Sequence, residues 1–147
     1  MFLAAKEIEF DAGHRVPDHE GKCSSPHGHR YKVVLGVKGE LQDEGSRTGM
    51  VLDFAEIKHV LQEIHDKFDH GFMYSLHDHS MMVIQTIMPN AQAKWKWVAV
   101  NFSPTAENLA KWCFEYAQER FEQLNLPGEV AWAKVYETPT SVAKYPV

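Results

Sequence analysis

Residues 27–38 carry the pattern that most restricts this chain: Tyr31, Val33, Leu35 and Val37 alternate with Arg30, Lys32 and Lys38 among the intervening positions. Period-two alternation of this kind describes a strand with one face on a core and the other in water, so the chain must build a sheet covered on one side. A second run obeys the same rule, with Ile8, Phe10 and Ala12 opposed to Glu7, Glu9 and Asp11 over Ala4 to His14. Three histidines extend the apolar faces: His14 in the first run, His27 and His29 in the second. Residues 15–28, between the two strands, are rich in Pro, Gly, Ser and charge, longer than a hairpin turn needs and of a kind that often holds function.

Two stretches have helical spacing. Phe54, Ile57, Val60, Leu61, Ile64 and Phe68 mark an amphipathic helix after Asp53, a ready N-cap. Ser103 and Pro104 open a second, whose stripe is Leu109, Ala110, Cys113, Ala117, Phe121 and Leu124, and Pro127 with Gly128 ends it. Trp95 to Phe102 and Glu129 to Glu137 read as further strands, whereas Tyr74 to Ala93 suits either strand or loop. The prolines of the C-terminal tail argue against regular structure there. The 147 residues suit one domain, 1–147, and no repeat or linker interrupts it.

Fifteen basic against twenty acidic residues give a net charge of −5, so no general positive field exists to hold nucleic acid or an anionic membrane. The N-terminus lacks the basic start and long apolar run of a signal peptide, and no run approaches a membrane span, from which a cytoplasmic protein is expected. The two cysteines, Cys23 and Cys113, are then free thiols, Cys113 as a small core residue.

Nine histidines remain to be explained. Residues two apart on a strand point the same way, so His27 and His29 present two imidazoles side by side, and His14 joins them if the two strands pair. Three imidazoles with an open position suit a catalytic zinc, although cobalt or iron also accept such ligands; the alternative is a chance pair in a histidine-rich chain. Cys23, four residues before His27, is a thiolate base or nucleophile, a fourth metal ligand, or an idle loop thiol. Asp69 beside His70 is an orienting carboxylate for a proton-transferring imidazole, or a surface helix cap. His77, Asp78 and His79 read as a solvated loop. Glu137, in phase with Ala131, Ala133 and Val135, is an acid on an apolar face: it accepts the paired N–H groups of a guanidine-like edge, or it closes a strand-end salt bridge. Glu107 lies in the first turn of a helix, where it favours the helix dipole.

The motifs Phe10 to His14, Cys23 to His29, Gly49 to Phe54, Phe68 to His70, Pro104 to Ala110 and Glu137 to Ser141 follow one another along nearly the whole chain. Together this resembles the 6-pyruvoyl-tetrahydropterin synthase family, and the three residues between Cys23 and His27 match its 6-carboxy-tetrahydropterin synthase branch. The resemblance implies an α+β tunnelling fold (T-fold), a four-stranded antiparallel sheet with two helices on one face, joined edge to edge into an oligomeric barrel. A homo-oligomer follows, a hexamer built as a dimer of trimers, with sites between subunits. His14, His27 and His29 would hold Zn2+, Cys23, Asp69 and His70 would transfer protons, and Glu137, helped by Glu107, would bind the pterin. The implied substrate is 7,8-dihydroneopterin triphosphate, in queuosine biosynthesis. Two other readings are the pyruvoyl-forming or hydroxymethyl-forming reaction, and a non-catalytic pterin- and metal-binding paralogue. The chain departs from the family after His70, where Gly71-Phe72-Met73 and the long stretch to Lys96 stand, and its tail lacks a cysteine common in bacterial members. Phosphate-binding cations are not assigned, with Arg15, Lys22 and Lys32 as candidates.

Overall fold

The computed structural model describes residues 1–88 and 94–147. Its centre is the hairpin of β1 (Phe2–His14) and β2 (His27–Gly39), paired antiparallel from Phe2↔Gly39 to His14↔His27. The alternation works as expected: Phe10, Ala12, Tyr31, Val33, Leu35 and Val37 are buried. Glu9 and Asp11 face Arg30 on the other side, with Arg30 Nε 2.9 Å from Glu9 and its Nη1 3.1 Å from Asp11.

Helix α1 (Phe54–Phe68) starts at a capping box, in which Asp53 accepts from the Ala55 N–H and Glu56 from the Asp53 N–H. It buries Ile57, Val60, Leu61, Ile64 and Phe68 and packs on β1. After β3 (Gly71–Ser75), α2 (His79–Ile87) and β4 (Trp97–Val100) comes helix α3 (Ala106–Gln123), which lies on β5 (Glu129–Thr138) and β6 (Ser141–Tyr145). Its N-cap is Thr105, which accepts from Asn108, so the helix opens slightly later than Ser103–Pro104 suggests. Cys113 is in the core as expected, and burial pushes its thiol up to about 12.

The α+β class stands, but the sheet differs from the expected one. Among the described residues it has six strands in the order β4-β3-β1-β2-β5-β6, and β3 and β4 join β1 in parallel at one edge. The strand expected over residues 95–102 is therefore a parallel edge strand, and a five-residue strand precedes it. The antiparallel part is β1-β2-β5-β6, whose last member is the tail that was expected to be irregular. Pro139 and Pro146 flank this strand and do not interrupt it, so residues 141–145 keep the backbone donors that pairing with β5 requires. A third helix, α2, occupies part of the undecided stretch from Tyr74; residues 89–93 of that stretch lie outside the described residues. No helix among the described residues is long and apolar enough to cross a membrane.

Candidate functional site

The register of β1 and β2 brings the three histidines to one end of the hairpin. His14 and His27 are directly paired and His29 is opposite Ala12, so the imidazoles of His14, His27 and His29 cluster on the buried face with ring centroids 4.6 to 5.2 Å apart. On the opposite face Gly13 pairs with Gly28, and a β-carbon at Gly13 would lie 2.7 Å from the Phe72 ring. Glycine there lets β3 close on β1.

The ring nitrogens are assigned by their surroundings. His14 Nδ1 donates to the Pro104 carbonyl at 2.7 Å and His27 Nδ1 donates to the Ser25 carbonyl at 2.6 Å. In the neutral rings both Nε2 atoms then carry lone pairs only, yet they face each other across 3.1 Å. His29 Nε2 is buried and has no hydrogen-bond partner. Two opposed lone pairs and an orphaned third nitrogen fit a cation placed among them. Carbonyls that fix the remote ring nitrogens are the supporting contacts that metal-binding histidines use. One ligand atom from each of His14, His27 and His29 lies within 4.8 Å of the others, so these residues could hold a metal ion. Burial, first among several influences, keeps His14 and His29 below the usual imidazole pKa and hence in the neutral, ligating form.

Glu137 reaches the same cluster from β5. The β2–β5 ladder pairs Lys32 with Tyr136, and the β5–β6 register slips between Tyr136 and Thr138, which leaves Glu137 at an irregularity of the strand. Such bulges re-aim side chains beside functional sites. Its carboxylate oxygens stand 3.6 Å from His29 Nε2 and 3.9 Å from His14 Nε2. Cys23, Glu107 and Glu137 line one cleft of about 250 Å³, together with Thr105 and Ser141. The loop that carries Cys23 is fastened where the Val16 N–H donates to the Cys23 carbonyl at 2.8 Å.

Asp69 and His70 meet each other but not this cleft. His70 follows the C-cap of α1 in a left-handed conformation, φ 57°, and its N–H donates to the Asp11 carbonyl at 2.7 Å. Asp69 accepts from the Asp11 N–H at 3.1 Å and from the His70 ring Nδ1 at 2.9 Å. Hydrogen bonding to His70 is the main reason that the Asp69 carboxyl stays below the usual range. The His70 ring, 79% exposed, borders an open cleft of about 500 Å³ shared with Asp11, Gly13 and Arg30, on the water-facing side of β1 and β2.

Two other expectations need correction. His77, Asp78 and His79 are not a solvated loop, because Asp78 is 3% exposed, caps α2 by accepting from Met81, and lies 2.9 Å from Arg15 Nε. Arg15 is thereby paired inside the protein, which weakens it as a phosphate-binding candidate. Residues that sequence reasoning passed over also sit here. His19 borders the Cys23 cleft with its Nδ1 accepting from Gly21 N–H at 2.8 Å, a loop contact with no periodic signal. Tyr31, two residues beyond His29 on the same face, reads as plain core in the sequence, although its hydroxyl is buried without a partner.

A family model described as 6-pyruvoyl tetrahydropterin synthase matches residues 4–146. The 6-carboxy-5,6,7,8-tetrahydropterin synthase of Haemophilus influenzae is 34% identical, with 99% of each chain covered. That of Aquifex aeolicus is 32% identical over 96% of this chain and 95% of its own. Among solved structures, an uncharacterized protein from Wolinella succinogenes superposes with a TM-score of 0.78 at 27% identity, covering 97% of this chain and 96% of that one. The Caenorhabditis elegans 6-pyruvoyl tetrahydropterin synthase shares the fold at a TM-score of 0.68 and 20% identity, over 99% of this chain and 95% of its own. With its histidine cluster, its order of motifs and these likenesses in agreement, the chain belongs to the 6-pyruvoyl tetrahydropterin synthase family.

Proposed function

We propose that this protein is a zinc-dependent 6-carboxy-5,6,7,8-tetrahydropterin synthase. It converts 7,8-dihydroneopterin triphosphate and water to 6-carboxy-5,6,7,8-tetrahydropterin, acetaldehyde and triphosphate, a carbon–oxygen lyase step of queuosine biosynthesis in the cytoplasm. The observation that carries this reading is the cleft where Cys23 and Glu137 lie beside the His14–His27–His29 cluster. The names of the full-length Haemophilus influenzae and Aquifex aeolicus relatives support the product.

His14, His27 and His29 would hold the zinc, whose Lewis acidity would make the hydroxyls of the substrate side chain easier to deprotonate. Glu137 accepts the two parallel N–H groups of the pterin's guanidine-like edge and so fixes the ring, with Glu107 on the wall of the same cleft. Cys23 is the base that removes a proton from the side chain next to the ring. His70, oriented through Nδ1 by Asp69, moves a proton at its free Nε2 further along the side chain. Proton removal at one carbon and return at another tautomerise the substrate. Oxidation of the side chain is thereby matched by reduction of the ring, no nicotinamide is consumed, and triphosphate leaves by elimination.

Cys23 and His70 belong to different clefts of one chain, which supports a homo-oligomer, a dimer of trimers, in which His70 of one subunit completes the Cys23 cleft of another. The test is mass-spectrometric product analysis with zinc-loaded protein and 7,8-dihydroneopterin triphosphate. Acetaldehyde in step with 6-carboxytetrahydropterin is expected. A 6-pyruvoyl product would assign the biopterin-type reaction instead, and absence of turnover would overturn the catalytic reading.

A further inference from the structure

Tyr31 has a polar group that the fold itself does not use. Its ring is fully buried, stacked on Phe10 at 5.5 Å and edge-on to His14 at 5.9 Å and His29 at 5.7 Å. The hydroxyl at its tip has no hydrogen-bond partner among the described residues. A buried, unpaired hydroxyl costs folding free energy that phenylalanine would avoid, so packing alone gives no account of it.

The register shows where this hydroxyl belongs. The β2–β5 ladder ends at Lys32↔Tyr136; carried one residue further, its register sets Tyr31 against Glu137, whose carboxylate lies beside His14 and His29, the two rings that Tyr31 meets edge-on. The Glu137 oxygens now stand 3.6 and 3.9 Å from the Nε2 atoms of His29 and His14. Those nitrogens are the ones a cation takes up. Once they are engaged the carboxylate needs another donor, and Tyr31 brings an unpartnered hydroxyl on the same buried face.

We propose that Tyr31 is a positioning residue of the pterin site: its hydroxyl donates to Glu137 and holds the carboxylate in place for the guanidine-like edge of the ligand. This rests on the pterin reading given above. Tyr31 neither touches the reacting atoms nor transfers a proton; it acts through Glu137. A hydrogen bond to a charged acceptor is worth enough to set roughly a tenfold or larger difference in affinity.

The test uses zinc-loaded, full-length protein and two fluorescent probes: neopterin, and its 2-oxo analogue that lacks the amino group of the guanidine edge. Tyr31→Phe is expected to weaken neopterin binding about tenfold while hardly changing binding of the analogue. In a Glu137→Gln background the same change should have less than about a twofold effect, because the charged acceptor has gone. Metal content should be unchanged, and the metal-free variant should melt no lower than wild type, since an unpaired buried hydroxyl has been removed. Unchanged neopterin affinity, an equal loss with both probes, or an equal loss in both backgrounds would overturn the proposal. Wild-type protein that binds the two probes alike would overturn the placement of the guanidine edge at Glu137, and the role of Tyr31 with it. Preference lost in Glu137→Gln but kept in Tyr31→Phe would overturn the role of Tyr31 alone.

Discussion

The histidine cluster and the Asp69–His70 turn lie at the same end of β1, on its two faces, and they are built in opposite ways. His14 is 1% exposed, and the chain's own carbonyls from Pro104 and Ser25 set the protons of His14 and His27. Around His70 the backbone is fixed through Asp11 and the ring is tied only to Asp69, with 79% of the side chain in solvent. A metal site requires its ligands to be held before the ion arrives, which a core provides. A proton carrier requires reach, which an exposed ring at a strand end provides once another surface closes over it. On the proposed function, one chain therefore holds a finished half and an open half.

The sharpest way to break this contrast is at the finished half. His27→Ala or His29→Ala should abolish stoichiometric metal binding and reduce kcat/KM by roughly a thousand-fold, as loss of a metal's charge stabilisation costs several kcal/mol. Metal analysis of the purified variants beside steady-state kinetics reads both. Full metal occupancy in either variant would show that the cluster is not the metal site.

At the open half, His70→Ala should lower kcat about a hundred-fold or more and leave metal content untouched. Its most telling form is complementation: Cys23→Ala and His70→Ala subunits, each inactive alone, should regain activity when co-assembled. Mixed oligomers that stay inactive would place both groups in one subunit's site and remove the argument from the separate clefts.

A third feature is the ion pair of half-buried Arg15 with buried Asp78, which ties the residue after His14 to the start of α2. Asp78→Ala leaves the half-buried Arg15 charge without its partner and removes the cap of α2, which together cost about 1–3 kcal/mol. A melting temperature several degrees lower is expected, with turnover reduced less than in the ligand variants. An unchanged melting temperature would show that the pair is not holding α2 to the end of β1.

These differences also explain what could be read from the sequence. His14, His27 and His29 were legible because strand alternation puts them on the apolar faces of two strands that pair, and α1 because its apolar spacing follows Asp53, a ready N-cap. Strands β3 and β4 were not: Gly71–Ser75 is a short apolar run whose parallel partners are distant in sequence, and nothing local specifies them. Asp78 looked like a loop residue between two histidines because its partner, Arg15, is remote. The meeting of Asp69 with His70 depends on a left-handed backbone at His70 that adjacency does not imply. Glu137 was legible as an acid on an apolar face, but its approach to the histidine nitrogens follows from an irregularity between β5 and β6. Tyr31 was hidden for a simpler reason: alternation marks a tyrosine as buried, and only the packed structure shows that its hydroxyl lacks a partner.

The smallest effect separates the two halves by acidity. His14 and His29 have folded-state pKa values held below the ordinary 6.5, first by burial. In the metal-free protein the unfolded chain then binds more protons than the folded one just below 6.5. Stability is complete above that value, declines as pH falls through it, and levels off once the lowered values are passed. Asp69 behaves differently: its carboxyl is held below the ordinary 3.8 by His70, so its contribution is present above that value and is lost only in stronger acid. Melting temperatures of chelator-treated protein from roughly pH 8 to 3 should therefore fall in two stages. His29→Asn should flatten the first stage, and Asp69→Asn the second. A single acid transition untouched by His29→Asn would mean that the rings are not held neutral by the core, and the finished half would lose its distinction from the open one.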